Sequence, residues 1–138
     1  MFVFAEETPC AILACTGNVQ TITSYRDLEA WQLGMVFVED IYALTSSFPR
    51  EELFGLTSQL RRAAVSIPSL VAEGHRQGTR AYRNYVIRAL GSHAECETQL
   101  ELALRLKLAD PERIRPVSIL ATRVGQILHG LLRSLPKT

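Results

Sequence analysis

The chain has 138 residues, 47% of them apolar and 21% charged, with a formal net charge of +1. At that length one domain is expected, and roughly 68% of the unfolded chain's surface is buried on folding, so the core needs no disulfide or metal. No window approaches the 18 or so uninterrupted apolar residues of a membrane span, and a net charge of +1 by itself points to no partner of either sign.

The charge is unevenly spread. Residues 1–49 hold one Arg against six acids, residues 50–90 seven Arg against three Glu, and residues 91–138 seven cations against five acids. Thirteen of the fifteen cations are arginine; its planar fork of donors suits carboxylates and phosphates better than lysine does. Three cysteines, Cys10, Cys15 and Cys96, form no framework spacing and fit free thiols in a reducing compartment. The start, MFVFAEETPC, lacks a basic residue before its apolar part and is a poor signal peptide. A cytoplasmic protein is expected.

In chain order, residues 1–23 lack helical periodicity and read as an irregular extension. The bundle proper is expected over residues 24–138. Ser24 and Asp27 approach a capping box that opens a first helix. Leu28, Trp31, Met35, Val38, Tyr42 and Thr45 form one stripe along it, and Phe37, Ile41, Leu44 and Phe48 a second, so this helix should touch more than one neighbour. Pro49 ends it, and Glu51 and Glu52 suit the first turn of the next helix. That second helix shows Leu53, Leu56, Leu60, Ala63, Ile67 and Leu70, with Gly74 and Gly78 closing it. Pro68 inside the pattern predicts a kink or break, with Ser66 taking up part of the freed hydrogen bonding.

Thr79 is a candidate cap for a third helix with the stripe Tyr82, Val86, Ala89, His93, Cys96, Leu100 and Ala103, where Gly91 and Ser92 would let a neighbour approach. Asp110, Pro111 and Glu112 start a fourth, with Ile114, Val117, Ala121, Val124, Leu128, Leu131 and Leu135 inward and Pro136 as its stop. Four long helices on short connections define an all-α, antiparallel up-down-up-down four-helix bundle.

Chemistry is hard to find in this pattern. No Glu-x-x-His pair is present, and His93 with Cys96 reads as a packed core pair in preference to two metal ligands. No serine stands in a nucleophile elbow, and GHRQG lacks the spacing of a phosphate loop. The reading is of a non-enzyme, with no metal and no cofactor. Arginines are the candidate functional residues. Arg61, Arg62, Arg76, Arg80, Arg83 and Arg88, with Tyr82 and Tyr85 interleaved, are candidate contacts to nucleic acid, in the style of loop or single-stranded RNA. Glu73 and Glu95 are candidate partners in structural ion pairs. Of the neighbours Arg61 and Arg62, about 100° apart on a helix, one is expected to be structural and one surface-facing.

The segments YRDLEAWQLG, IYALTSSFPREELFGLTSQLRRAAVSIPSLVAEGHRQG and ALGSHAECETQLELA resemble the 23S rRNA intervening-sequence proteins, over about Tyr25 to Leu108. Ser69 and Leu70 depart from an asparagine-containing pair usual after Ser-Ile-Pro in that family, and His93 stands where an aliphatic residue is more typical. The resemblance implies a four-helix bundle that assembles into a ring, a homopentamer, encoded within insertions of 23S ribosomal RNA genes. A similar fold serves diversity-generating retroelements as an accessory protein, where a basic ring engages nucleic acid and a reverse transcriptase. The resemblance carries over no catalytic residue. Expected partners are therefore other copies of the chain and RNA or DNA, with a protein-interaction adaptor as the alternative, and no membrane.

Overall fold

The computed structural model describes residues 21–137. The main helices are α1 (Glu29–Thr45), α2 (Leu56–Gln77), α3 (Thr79–Arg105) and α4 (Pro111–Ser134), and 3₁₀ turns at Tyr25–Asp27 and Arg50–Glu52 precede α1 and α2. The described residues contain no strand. Contacts at opposite levels orient the helices. Arg61 of α2 bonds Thr45 at the end of α1, whereas Arg76 lies on Tyr25 just before its start, so the two run antiparallel. Arg83 and His93 of α3 reach Leu132 and Ala121 of α4, which is the same relation.

The expected stripes make the core. Phe37, Ile41, Leu44 and Phe48 are buried, as are Leu60, Ala63, Ile67 and Leu70 of α2 and every stripe residue of α3 and α4. The two stripes of α1 divide. The other one keeps Leu28 and Thr45 inside but leaves Met35 and Tyr42 more than two-fifths exposed, so part of it faces away from the bundle. The extension expected over residues 1–23 lies outside the described residues up to residue 20. Ile22 packs against the core edge and Thr23 bonds Asp27, so the last of it is tied to the bundle.

Several expectations are corrected by local geometry. The Ser24–Asp27 capping box is complete, but it closes the 3₁₀ turn; Leu28 is extended and buried, and α1 begins after it. Leu53 lies in the connection, and Glu52 turns back to accept from the Leu56 amide at 3.0 Å, which supplies the acidic start expected of α2. Thr79 caps nothing: Gly78, at φ +96, stands at the junction.

Pro68 breaks no helix; α2 runs continuously through it. The proline removes the donor that the Ala64 carbonyl would have met. Ser66 donates instead to Ala63 at 2.7 Å and Ser69 to Val65 at 2.8 Å, the carbonyls on either side. The ring is buried against Gly34 of α1, where an added Cβ would stand 3.4 Å from the Pro68 Cβ. Gly74 lies inside α2 and gives way to Tyr85, whose Cβ would be 2.6 Å from a new methyl. Gly91 does not serve close approach, since nothing lies within 4 Å of a Cβ there. That role belongs to Gly125, which the His93 imidazole covers so closely that a Cβ would stand 2.5 Å from its Cε1.

Candidate nucleic-acid interface

The six candidate arginines separate into two uses. Arg61 is turned inward: its Nε donates to the buried Thr45 hydroxyl at 2.8 Å, and its guanidinium lies 4.4 Å from the Tyr42 ring centroid. Arg83 donates from Nη1 to the Leu132 carbonyl at 3.2 Å and to Leu135 at 3.5 Å, closing the C-terminus of α4 where a cation is favoured. Arg62, Arg76, Arg80 and Arg88 are exposed, the last with its guanidinium 5.3 Å from the Tyr85 ring. The expected division between Arg61 and Arg62 is the one found.

These arginines do not converge on one place. Fifteen residues of α2 separate Arg61 from Arg76, about 22 Å at the helical rise. The Glu73 and Glu95 ion pairs are also absent. Both residues are exposed, and the ion pairs of the described residues are Glu97 with His93, Glu101 with Arg105, Glu112 with Arg115 and Glu29 with Arg123.

The fold does assemble a basic end. The last turn of α2, the first turns of α3, the last turn of α4 and the turn before α1 all lie there, so Arg76, Arg80, Arg83, Arg133 and Arg26 share one end of the bundle. The acids of this end are Asp27, Glu29 and Glu73. Asp27 is spent on the backbone amides of Thr23 and Ser24, at 2.9 and 3.1 Å, which hold its carboxyl below the usual range. Arg26 sits 5.4 Å from Tyr25 and 5.5 Å from Trp31, rings that meet edge to face, and Arg76 reaches Tyr25 at 5.8 Å. Burial, with Arg76 adding repulsion, lowers the pKa of His75, which stands edge-on to Tyr82. Arg26 and Arg76 are thus braced on aromatic faces and, with the exposed Arg80 and Arg133 at the same end, are able to meet phosphates. Arg26 and Arg133 were not among the sequence candidates, because they lie far from the others along the chain and only the fold joins them.

The remaining titratable candidates are structural. His93 shares a 2.7 Å hydrogen bond through Nε2 with the Ala121 carbonyl and has the Glu97 carboxylate 3.7 Å from Nδ1. Cys96 is fully buried, and burial, with Glu95 and Glu97 adding to it, pushes its thiol up to about 12. Among the described residues no group of three or more His, Cys, Asp or Glu side chains is placed to hold a metal ion, and no helix is long and apolar enough to cross a membrane.

Fold and surface together define an all-α bundle whose distinctive polar residues lie on its outside. Residues 26–130 match the model of the 23S rRNA-intervening sequence protein family, and the chain belongs to that family. A crystal structure of a protein of unknown function from the S23 ribosomal protein family of Bacteroides thetaiotaomicron VPI-5482 is similar at a TM-score of 0.69 and 22% identity, covering 75% of this chain and 95% of that one. At that identity the likeness concerns the fold. No protein of curated function matches the sequence.

Proposed function

We propose that this protein is a non-enzymatic scaffold that holds RNA by its basic end and acts as a homo-oligomer. The observation that carries the reading is the gathering of Arg26, Arg76, Arg80 and Arg133 from four separate elements at one end of the bundle. The opposite end holds Arg50, Arg61, Arg62, Arg105, Lys107, Arg113 and Arg115 with Glu51, Glu52, Glu101, Asp110 and Glu112, and there Arg105 and Arg115 are paired with Glu101 and Glu112 while Arg61 is bonded to Thr45. Phosphate neutralisation by exposed arginines makes affinity fall steeply with salt. The partly exposed stripe Trp31, Met35 and Val38 of α1 supplies apolar surface for contact between copies.

The test is binding of a labelled single-stranded RNA to the full chain across a salt series. Affinity should fall with salt, and Arg76→Glu with Arg80→Glu should weaken it on the order of 100-fold. Binding that is absent at low salt, or indifferent to both reversals, defeats the RNA reading. Solution mass against Met35→Glu tests the assembly.

A further inference from the structure

At the end of the bundle away from the basic arginines, the α1–α2 connection leaves an apolar groove. Tyr42, Leu53, Phe54 and Val65 line it, with Arg61 and Arg62 at its side. Phe54 is 92% exposed, an unusual position for a phenylalanine in a chain with no shortage of core. Nothing in the packing of the described residues accounts for it, and its neighbours Leu53, Tyr42 and Val65 are each more than a third exposed. The groove encloses about 480 Å³, enough for two or three apolar side chains.

Charge selects the occupant. Arg61 is pre-organised: Thr45 fixes its Nε and the Tyr42 ring fixes its plane. Its Nη donors, and the whole of Arg62, take part in no ion pair among the described residues. The groove lining contains no carboxylate, and Glu52 of the same connection is committed to the Leu56 amide. Two guanidiniums with no carboxylate partner, beside an apolar floor, complement apolar side chains with a carboxylate next to them. Nucleic acid fits this place poorly. The face of Tyr42 is already covered by Arg61, and Leu53 and Val65 offer no stacking platform, so Phe54 alone could take a base.

We infer that this groove is a docking site for an acidic, apolar peptide segment of a partner protein, with Phe54 and its neighbours receiving the apolar side chains and Arg61 gripping the carboxylate. The surface is independent of the basic end, so the molecule has two ends with different ligands.

The test pans a phage-displayed library of random peptides, about 12 residues long, on the full chain, with counter-selection on Phe54→Ser. Phe54 is so exposed that its replacement leaves the fold intact, which circular dichroism checks. Enriched peptides should carry Asp or Glu close to Leu, Ile, Phe or Trp. Labelled copies should lose at least about tenfold in affinity against Phe54→Ser, against Arg61→Lys, and when their acid is changed to its amide. Should Arg61→Lys melt early, Arg62→Gln provides the charge test. Arg76→Glu with Arg80→Glu should leave peptide affinity unchanged. No enrichment, enrichment without acids, or peptides that bind Phe54→Ser equally well overturns the inference. So does a fall in solution mass in Phe54→Ser without enrichment, since the occupant is then a second copy.

Discussion

The two ends of this bundle are built from the same four helices and solve different problems. At one end a single-residue link, Gly78, joins α2 to α3, and arginines from four elements lie at that end. At the other end the longer α1–α2 connection carries Arg50 with Glu51 and Glu52 and exposes Phe54. The difference teaches that position along a bundle, and not helix face alone, sorts side chains by use. Arg61 and Arg83 are the exceptions. Each ties down a helix end, yet they stand at opposite ends of the molecule.

The largest expected effect breaks the comparison at its basic end. Arg76→Glu with Arg80→Glu should weaken RNA binding on the order of 100-fold at low salt and flatten the salt slope by about two, whereas Arg113→Glu at the other end should change affinity little. Filter binding over a salt series reads both.

Next comes a change midway between the ends. Gly125→Ala drives a methyl into the His93 ring, which is held by the Ala121 carbonyl, and should cost about 2 kcal/mol in a urea melt. Gly91→Ala, in open space on α3, should stabilise by up to about 1 kcal/mol. The two glycines thus separate packing from propensity.

A smaller effect sharpens the division among the arginines. Arg83→Ala should lower stability by about 1 kcal/mol through the lost cap on α4, and Arg80→Ala by less than about 0.5 kcal/mol. Equal losses would show that the basic end is held together by charge generally.

The smallest is a pH effect confined to the same end. The folded-state pKa of His75 is lowered, so the unfolded chain takes up its proton first, and stability should fall as pH drops through about 6.5. Thermal melts between pH 7.5 and 5 should show a shallower fall in His75→Asn.

The helices are legible because their apolar spacing is strict: every buried apolar side chain of α3 and α4 falls on the three-and-four pattern, which passes over the buried Gln99 and Gly125. The errors lie where tertiary contact overrides local grammar. Pro68 persists in a helix because Gly34 makes room for its ring. Gly74 allows the close approach expected at Gly91, because what matters is the side chain opposite, Tyr85 in one case and none in the other. The candidate interface was only half legible. Arg76 and Arg80 stand close in sequence, but Arg26 and Arg133 join them through the bundle's closure, which no window of sequence contains.

The link at Gly78 bears on the order in which the molecule forms. With one residue between α2 and α3, bringing them together costs almost no loop entropy, and their interface is the broadest in the bundle. This hairpin should therefore nucleate folding, with α1 and α4 adding to its two sides. Because Gly78 holds φ +96, Gly78→Ala should slow refolding more than it speeds unfolding, which stopped-flow kinetics would reveal as two unequal limbs of one chevron.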